Sequence, residues 1–151
     1  MMLNKRISKI LRKKGTLSCI QKAEILENNS AKIRDLNLRN LDLEANDVLD
    51  IMDNITQESD AIPIKSISFS YNLHIGDVGA ILIAKKLPGS MSELGLVGCG
   101  ITDKGGTEIL NWMRTSQNLQ MICIENNKFS DQLKKEFSIF KKENPEKIVV
   151  F

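Results

Sequence analysis

The sequence predicts an α/β repeat protein, in which stacked units each contribute one short strand and one amphipathic helix. The first observation is a spacing that is clearest at 119–129, where positions one, four, six and eleven are apolar and position nine is Asn. The second is that this spacing recurs upstream, at intervals of 31, 27 and 28 residues, and that apolar residues at helical spacing follow each copy. Recurring strand-and-helix units of this length are typical of proteins built from stacked repeats.

The composition is that of an ordinary globular chain. Of the 151 residues, 42% are hydrophobic and 26% are charged, and the formal net charge is +2. No stretch approaches the roughly 18 apolar residues of a transmembrane helix, and the basic N-terminus lacks the apolar core and cleavage site of a secretory signal. Three cysteines without a Cys-x-x-Cys pair argue against a disulfide framework and a zinc site. We therefore expect a reduced, cytoplasmic chain without a cofactor.

Residues 1–32 predict a helical N-terminal cap. The first helix places apolar side chains on one face and basic side chains on the others, and Gly15 is a natural end for it. Thr16 or Ser18 can cap a second helix that runs to about Glu27. The apolar residues of the first helix are Leu3, Ile7, Ile10 and Leu11.

The charge of this cap leaves two interpretations open. Residues 1–32 hold eight Lys and Arg against two Asp and Glu, a net charge of +6, whereas residues 33–130 hold eight against thirteen, a net charge of −5. Repeat folds need terminal caps with a polar outer face, which favours a structural role for the basic helix. The alternative is an electrostatic arm, centred on residues 5–14, that binds an anionic membrane or a nucleic acid.

Residues 33–151 divide into about four and a half units. They start near residues 33, 64, 91 and 119, and residues 147–151 read as a terminal half-unit with one more strand. Asp77 and Asp103 are expected to cap the helices of the second and third units. The apolar helix residues are Val48, Ile51, Met52 and Ile55 in the first unit, Ile81, Ile83, Ala84 and Leu87 in the second, Ile109, Leu110 and Met113 in the third, and Leu133, Phe137 and Phe140 in the fourth.

Position nine of the repeated spacing lies in the turn after each strand. An Asn there can satisfy buried backbone groups of the neighbouring loop, and a buried Cys can take the same place as a small, weakly polar residue. The second, third and fourth units carry Asn72, Cys99 and Asn127 at this position. The first unit carries Leu41 instead, which predicts an irregular loop there.

The segments that join each turn to its helix are also alike, with IGDVGA at 75–80 and ITDKGG at 101–106. Together with the alternation of Asn and Cys, they make residues 33–151 resemble the ribonuclease-inhibitor-like subclass of leucine-rich-repeat proteins. The resemblance implies a solenoid shaped as a short right-handed horseshoe, with parallel strands on the concave face and helices outside. It implies no activity, because members range from enzyme inhibitors to GTPase regulators and actin-capping modules.

The sequence contains no catalytic or metal-binding constellation. His74 is the single histidine and has no Ser, Cys or metal-binding partner placed near it, so we expect a surface loop residue. The glycines between 95 and 100 fall on a strand and a repeat turn, where tight backbone explains them better than phosphate binding. Five carboxylates between 42 and 53 lack the EF-hand pattern and are expected to form a solvated helix face. We therefore expect no enzymatic activity and no metal site.

If the chain binds a partner, the strand geometry predicts where. Strand residues alternate between the two faces of a sheet, so the residues between the apolar ones point out of the concave face. This surface is small, mixed and mildly acidic, and Tyr71 is the one aromatic residue near it. The candidate binding residues are Asp35, Asn37, Arg39, Ser66, Ser68, Ser70, Glu93, Val97, Met121, Cys123 and Glu125, with Gly95 among them.

The leading hypothesis is a non-catalytic module for protein–protein interaction that uses the concave sheet and the adjacent loops. The first alternative is binding to an anionic membrane or a nucleic acid through the basic N-terminal helix. A second alternative, taken from the resemblance alone, is a role like that of the actin-capping or GTPase-regulating members. The terminal strand at 147–151 also predicts weak self-association, because a free strand edge can pair with a second copy.

Overall fold

The computed structural model describes residues 2–31, 33–57 and 64–151. Met1 and Lys32, at the two ends of the predicted cap, and residues 58–63, before the second strand, lie outside the described residues. Within the described ranges one parallel sheet has five strands, each paired with the next one along the chain. The strands are β1 (Asp35–Asn37), β2 (Ser66–Ser68), β3 (Glu93–Gly95), β4 (Met121–Cys123) and β5 (Ile148–Val150).

A helix follows each of the first four strands, and a pair of helices precedes the sheet, so the α/β class and the parallel sheet predicted from the sequence are confirmed. Among the described residues, none of the helices is both long and apolar enough to cross a membrane. The helices are α1 (Leu3–Lys14), α2 (Leu17–Asn28), α3 (Ala45–Thr56), α4 (Gly76–Lys86), α5 (Asp103–Thr115) and α6 (Asp131–Glu143).

The strands are in register at every step, so the core is built in rows that cross the sheet. The middle residue of each strand points between the sheet and the helices, because side chains alternate along a strand. These five residues are aligned with one another and all are buried. The row consists of Leu36, Ile67, Leu94, Ile122 and Val149.

The helices bury the faces that the sequence predicts, except in α4. In α3 the predicted residues are all buried, whereas in α4 Ile81 is only half-buried and Ala80 lies in the core beside Ile83. The reason is that Gly79 lets α4 lie close to the start of α3: a Cβ there would be 3.7 Å from the Cα of Ala45. The buried face of α4 therefore passes through Gly79, Ala80 and Ile83, with helical spacing.

The N-terminal helices α1 and α2 pack against each other and close one end of the core. The apolar face of α1 is buried, and two polar side chains on that face form hydrogen bonds with α2 or its end: the Asn4 Nδ2 atom donates to the Leu26 carbonyl at 3.1 Å and Ser8 Oγ donates to the Ala23 carbonyl at 3.2 Å. Gly15 ends α1 with φ of 79°.

The basic residues of α1 divide into paired and exposed groups. Arg12 forms an ion pair with Glu27 of α2 at 2.7 Å, and Lys14 forms one with Asp47 of α3 at 2.8 Å. The second pair ties the cap to the first repeat unit. Lys5, Lys9 and Lys13 are exposed, and their spacing of four residues places them along one side of the helix.

Asp77 and Asp103 join successive units, which differs from the prediction that each caps its own helix. The Asp77 carboxylate accepts hydrogen bonds from the backbone N–H groups of Thr102 and Gly105 at 2.8 and 2.9 Å, at the start of α5. Asp103 accepts a backbone bond from Ser130 at 2.7 Å, just before α6. The prediction was wrong because the free N–H groups nearest each carboxylate belong to the next helix of the stack, a relation that only the packed structure creates.

These bonds predict that acid weakens the fold through Asp77. Burial opposes ionisation of this carboxylate, but the bonds from Thr102 and Gly105 more than offset it and hold the pKa of Asp77 below its ordinary value. The stabilisation is therefore complete above the unfolded-state value of about 4 and is lost as the pH falls through the folded-state pKa. We expect Asp77→Asn to lower the free energy of unfolding at pH 7, with a difference from the unmodified protein that shrinks below about pH 4.

Urea unfolding at pH 7 and at pH 3 measures this difference. Asp50→Asn removes a carboxylate from an exposed position on α3 and controls for the loss of one negative charge. A destabilisation by Asp77→Asn that is the same at both pH values would contradict the expectation.

The last strand, β5, lies at one margin of the described sheet. Ile148 N–H donates to the Gln120 carbonyl and the Val150 carbonyl accepts from Ile124 N–H, both at 2.8 Å, so these groups face β4. Because successive peptide groups of a strand point to opposite sides, the N–H and C=O of Val149 point away from β4. This edge is the one that the predicted self-association would use.

Candidate functional site

The concave face of the sheet forms a shallow groove of about 430 Å³. All eleven candidate residues line it, together with Gly95. The strand register arranges the side chains in three rows across the sheet. The first row is Asp35, Ser66, Glu93 and Met121, the second is Asn37, Ser68, Gly95 and Cys123, and the third, just beyond the strands, is Arg39, Ser70, Val97 and Glu125.

Two residues of the same face were missed by the sequence reasoning. Ile148 is aligned with Met121 and Val150 with Cys123, and their exposed fractions are 57% and 37%. They make the β4–β5 end of the concave face apolar. The alternation in the terminal strand, with buried Val149 between them, was the signal that could have identified them.

Gly95, which has no side chain, leaves room in the middle of the groove for two neighbouring serine side chains. A Cβ at this position would be 2.7 Å from Ser68 Oγ and 3.0 Å from Ser70 Oγ, so the two serine side chains occupy the space that a larger residue would need. The hydroxyl of Ser70 accepts a hydrogen bond from Val97 N–H at 3.1 Å and is buried. Ser70 therefore shapes the groove more than it offers a contact to a partner.

The groove carries more acidic than basic side chains. Of the described residues that line it, three are carboxylates (Asp35, Glu93 and Glu125) and one is a guanidinium, that of Arg39. Burial raises the pKa of the Cys123 thiol, and the charges of Glu125 and Glu93 raise it further. The Oε2 atom of Glu125 is enclosed and has no hydrogen-bond partner among the described residues.

An amide side chain holds the loop of the first unit against the second. Asn72 is fully buried, and its Oδ1 atom accepts from the N–H groups of Leu41 and Leu43 at 2.9 and 3.0 Å. Its Nδ2 atom donates to the carbonyls of Leu38 and Phe69 at 2.9 and 2.7 Å. Both N–H groups and both oxygen lone pairs of this amide are therefore used by backbone atoms.

The same arrangement continues along the stack with the predicted alternation of Asn and Cys. Asn127 accepts from the N–H groups of Cys99 and Ile101 at 3.0 and 3.1 Å. Cys99 Sγ donates to the Phe69 carbonyl at 3.3 Å. We call position nine of each unit the ladder position, because its side chains bond from one unit to the next. In the first unit Leu41 occupies this position, and Cys19 of the cap donates its thiol to the Leu41 carbonyl at 3.3 Å. The cap thus supplies the neighbour that the first loop otherwise lacks.

The residue before each ladder position has a left-handed backbone, with φ between 52° and 62°. In three units the backbone N–H of this residue donates to the carbonyl before the equivalent position of the next unit, at 3.0, 2.6 and 3.0 Å, which shows that the positions correspond. At this position Tyr71 directs its ring towards Gly98, and the Arg39 guanidinium lies 5.1 Å from the ring centre. The four residues are Asn40, Tyr71, Gly98 and Asn126.

His74 and the carboxylates near α3 do not line the groove. His74 is exposed in the turn before α4. Asp47 forms a reciprocal capping box with Glu44 and pairs with Lys14, while Asp53 pairs with Lys86 at 2.6 Å. In the described ranges no group of three or more metal-ligating side chains comes together.

The three cysteines predict a selective labelling pattern. Cys19 and Cys99 are buried, and burial raises the pKa of Cys99 to about 11, so neither thiol is available to a reagent in the folded protein. Cys123 is half-exposed in the groove. We expect a disulfide reagent such as DTNB at pH 8 to modify Cys123 slowly in the native state, and the two buried thiols only after unfolding in urea. Native labelling that persists in Cys123→Ser would contradict this pattern.

The comparisons with known proteins define no class for this fold and site. No protein-family model matches the chain, and no curated protein matches it.

Proposed function

We propose that the chain is a leucine-rich-repeat protein of the ribonuclease-inhibitor-like type that acts as a non-catalytic module for protein–protein interaction. The observation that carries this proposal is that the two faces of the sheet have different roles. One set of strand residues builds the core, while the opposite set lines a groove whose carboxylates form no ion pair with a described residue. A surface of side chains that the fold does not use is the usual material of a binding site on a repeat scaffold.

The assignment to leucine-rich repeats is supported by the recurrence of one unit. Each of the four units contains a three-residue strand followed by a helix, and the turn between them is held by Asn72, Cys99 or Asn127 through bonds to the unit before it. The cap residue Cys19 completes the first loop. A cytoplasmic setting, in which these thiols stay reduced, remains a prediction.

Affinity capture from an extract of the native cell tests the concave face directly. The probe variant is Glu93→Arg with Met121→Arg, which places two long charged side chains on adjacent strands of the groove floor. The matched control is Gln132→Arg with Glu143→Arg, two exposed positions on α6 that receive the same side chains. We expect the captured partner to be lost with the groove variant and kept with the control. A partner kept by both variants would remove the groove from the proposal.

A second candidate function, binding to an anionic membrane or a nucleic acid, is favoured by the exposed lysines of α1. Lys5, Lys9 and Lys13 are exposed, whereas Arg12 and Lys14 are held in ion pairs within the fold. We expect any such binding to weaken with salt, since it depends on charge. Sedimentation with phosphatidylserine vesicles, and gel shift with single-stranded RNA, at low and at high salt would measure it. No binding at low salt, or equal binding by Lys5→Gln/Lys9→Gln/Lys13→Gln, would leave α1 as a cap alone.

The remaining alternatives differ in their support. Roles in actin-filament capping or GTPase regulation rest on architecture alone and stay predictions. Weak self-association is supported by the edge of β5 and by the exposure of Ile148 and Val150 beside it. Sedimentation velocity over a range of concentrations tests it, and a single monomeric species at high concentration would contradict it.

A further inference from the structure

The residue before the ladder position has a left-handed backbone in all four units, so its identity can be compared from unit to unit. Three units place Asn40, Gly98 and Asn126 there, which are the residue types that adopt φ near 60° most readily. The second unit places Tyr71 there, with φ of 62°. A bulky residue in this conformation is a backbone outlier that costs conformational energy, so its presence calls for a reason.

The contacts of Tyr71 within the chain account only in part for a bulky residue at this left-handed position. The Tyr71 side chain is on the surface, and the residue is 48% exposed, with its ring between Gly98 and the Arg39 guanidinium. Leu73, two residues later, is 60% exposed. Tyr71 follows Ser70 of the groove and contacts Arg39, so these two large side chains form an exposed rim at this end of the groove. Tyrosine and arginine are among the residue types that are enriched at binding hot spots.

The groove below this rim limits what the partner can be. Glu93 lies on β3 level with Met121, and Glu125 follows the end of β4 two residues after Cys123, so the two carboxylates stand on adjacent strands at different points along the groove. Arg39 lies three strands away from Glu125 along the sheet, and its guanidinium packs on the Tyr71 ring. Neither Glu93 nor Glu125 forms an ion pair with a described residue. A ligand that suits them has several N–H donors, and the neighbouring Met121 and Ile148 suit an aliphatic stem.

We propose that the partner is an extended basic segment of another protein, which places one lysine or arginine side chain against Glu93 and another against Glu125 and packs against Tyr71 at the rim. This inference rests on the proposed function of the groove and adds the chemistry of its partner. The strain at Tyr71 is offset by its contact with the bound segment.

The first arm of the test concerns Tyr71 and uses a fluorescein-labelled octapeptide of alternating lysine and leucine as the probe. Tyr71→Asn introduces the residue that the first and fourth units have at this position. We expect its Tm to rise by about 2–4 °C, because the turn loses its strain, and its affinity for the peptide, measured by fluorescence anisotropy, to fall roughly tenfold. Asn40→Gly, at the equivalent turn of the first unit, is the control and keeps the affinity.

The second arm concerns the charges of the groove. Glu93→Gln with Glu125→Gln removes two carboxylates. We expect the affinity for the lysine peptide to fall by at least about tenfold. Asp50→Asn with Glu143→Gln removes two carboxylates from the exposed faces of α3 and α6 and keeps the affinity. The same peptide with glutamate in place of lysine is expected not to bind.

The outcomes separate this inference from the proposed function. A lower Tm for Tyr71→Asn, or equal losses from the groove and the outer carboxylate pairs, would overturn the basic-segment proposal. If the lysine peptide does not bind, while a partner captured from the cell is lost with Glu93→Arg/Met121→Arg, the groove is a binding site for other chemistry and only this inference fails. If that partner is also kept, the proposed function fails with it.

Discussion

Replacement of Asn72 by alanine is expected to lower the free energy of unfolding by about 3–5 kcal/mol, since each unsatisfied buried backbone group costs roughly 1–3 kcal/mol. The amide bridges the first two units, and its loss leaves the N–H groups of Leu41 and Leu43 and the carbonyl of Leu38 without this partner. The site is fully buried, so water does not readily replace the bonds.

Urea unfolding followed by circular dichroism measures this effect. Asn72→Asp keeps the oxygen that accepts from Leu41 and Leu43 but places a second oxygen against the carbonyls of Leu38 and Phe69, so it is expected to be destabilising although it leaves no cavity. The control Asn111→Ala removes an amide from an exposed position on α5 and is expected to change the stability by less than about 0.5 kcal/mol. Equal stabilities for Asn72→Ala and Asn111→Ala would contradict a structural role for the ladder.

Replacement of Phe137 by alanine is expected to cost about 3–5 kcal/mol, the range for a buried phenylalanine whose removal leaves a cavity. Phe137 is fully buried on α6, and its ring centre lies 5.4 Å from that of Phe129 and 5.7 Å from that of Phe151. It therefore joins the last complete unit to the terminal strand. We expect β5 to be weakened most, because Phe151 loses its ring neighbour.

Hydrogen exchange locates this second effect. In Phe137→Ala the amides of Ile148 and Val150 are expected to lose protection before those of β1 and β2, since repeat units interact only with their neighbours. Ile139→Ala, an exposed position on the same helix, is the control for helix propensity and is expected to leave the protection of β5 unchanged. Uniform loss of protection across the sheet would show that the chain unfolds as a single cooperative block.

The ladder and the groove are linked through the same turns. Asn72 fixes the turn in which Tyr71 adopts its left-handed backbone, and Asn127 does so for the turn after Glu125. A ladder substitution is therefore expected to disturb the rim as well as the stability. For this reason the tests of binding use Tyr71 and the carboxylates rather than the ladder residues.

Much of the architecture could be predicted because its causes are local or periodic. The alternation within each strand and the helical spacing after it were sufficient to locate all five strands and the helices α3 to α6. Gly15 marked the break between α1 and α2 in the same way, and of the two predicted caps, Thr16 and Ser18, the structure uses Thr16. The period also placed Asn72, Cys99 and Asn127 in turns, where the bonds that they form are the ones expected.

The predictions failed where a contact depends on how two units pack. The buried face of α4 was shifted because Gly79 allows a close approach, and Asp77 was expected to serve α4 but serves the start of α5. Ile148 and Val150 were omitted from the concave face because the terminal strand was considered only for its edge.

The sequence by itself therefore determined which strand residues face the core, because burial of apolar side chains at a period of two leaves little choice of register. Only the tertiary structure decided which carboxylates lie near each other across the sheet, which side chain bonds to the neighbouring unit, and that Tyr71 sits at a turn suited to Asn or Gly. The physical reason is that these properties belong to pairs of units, and their geometry is set by stacking rather than by the local spacing of residues.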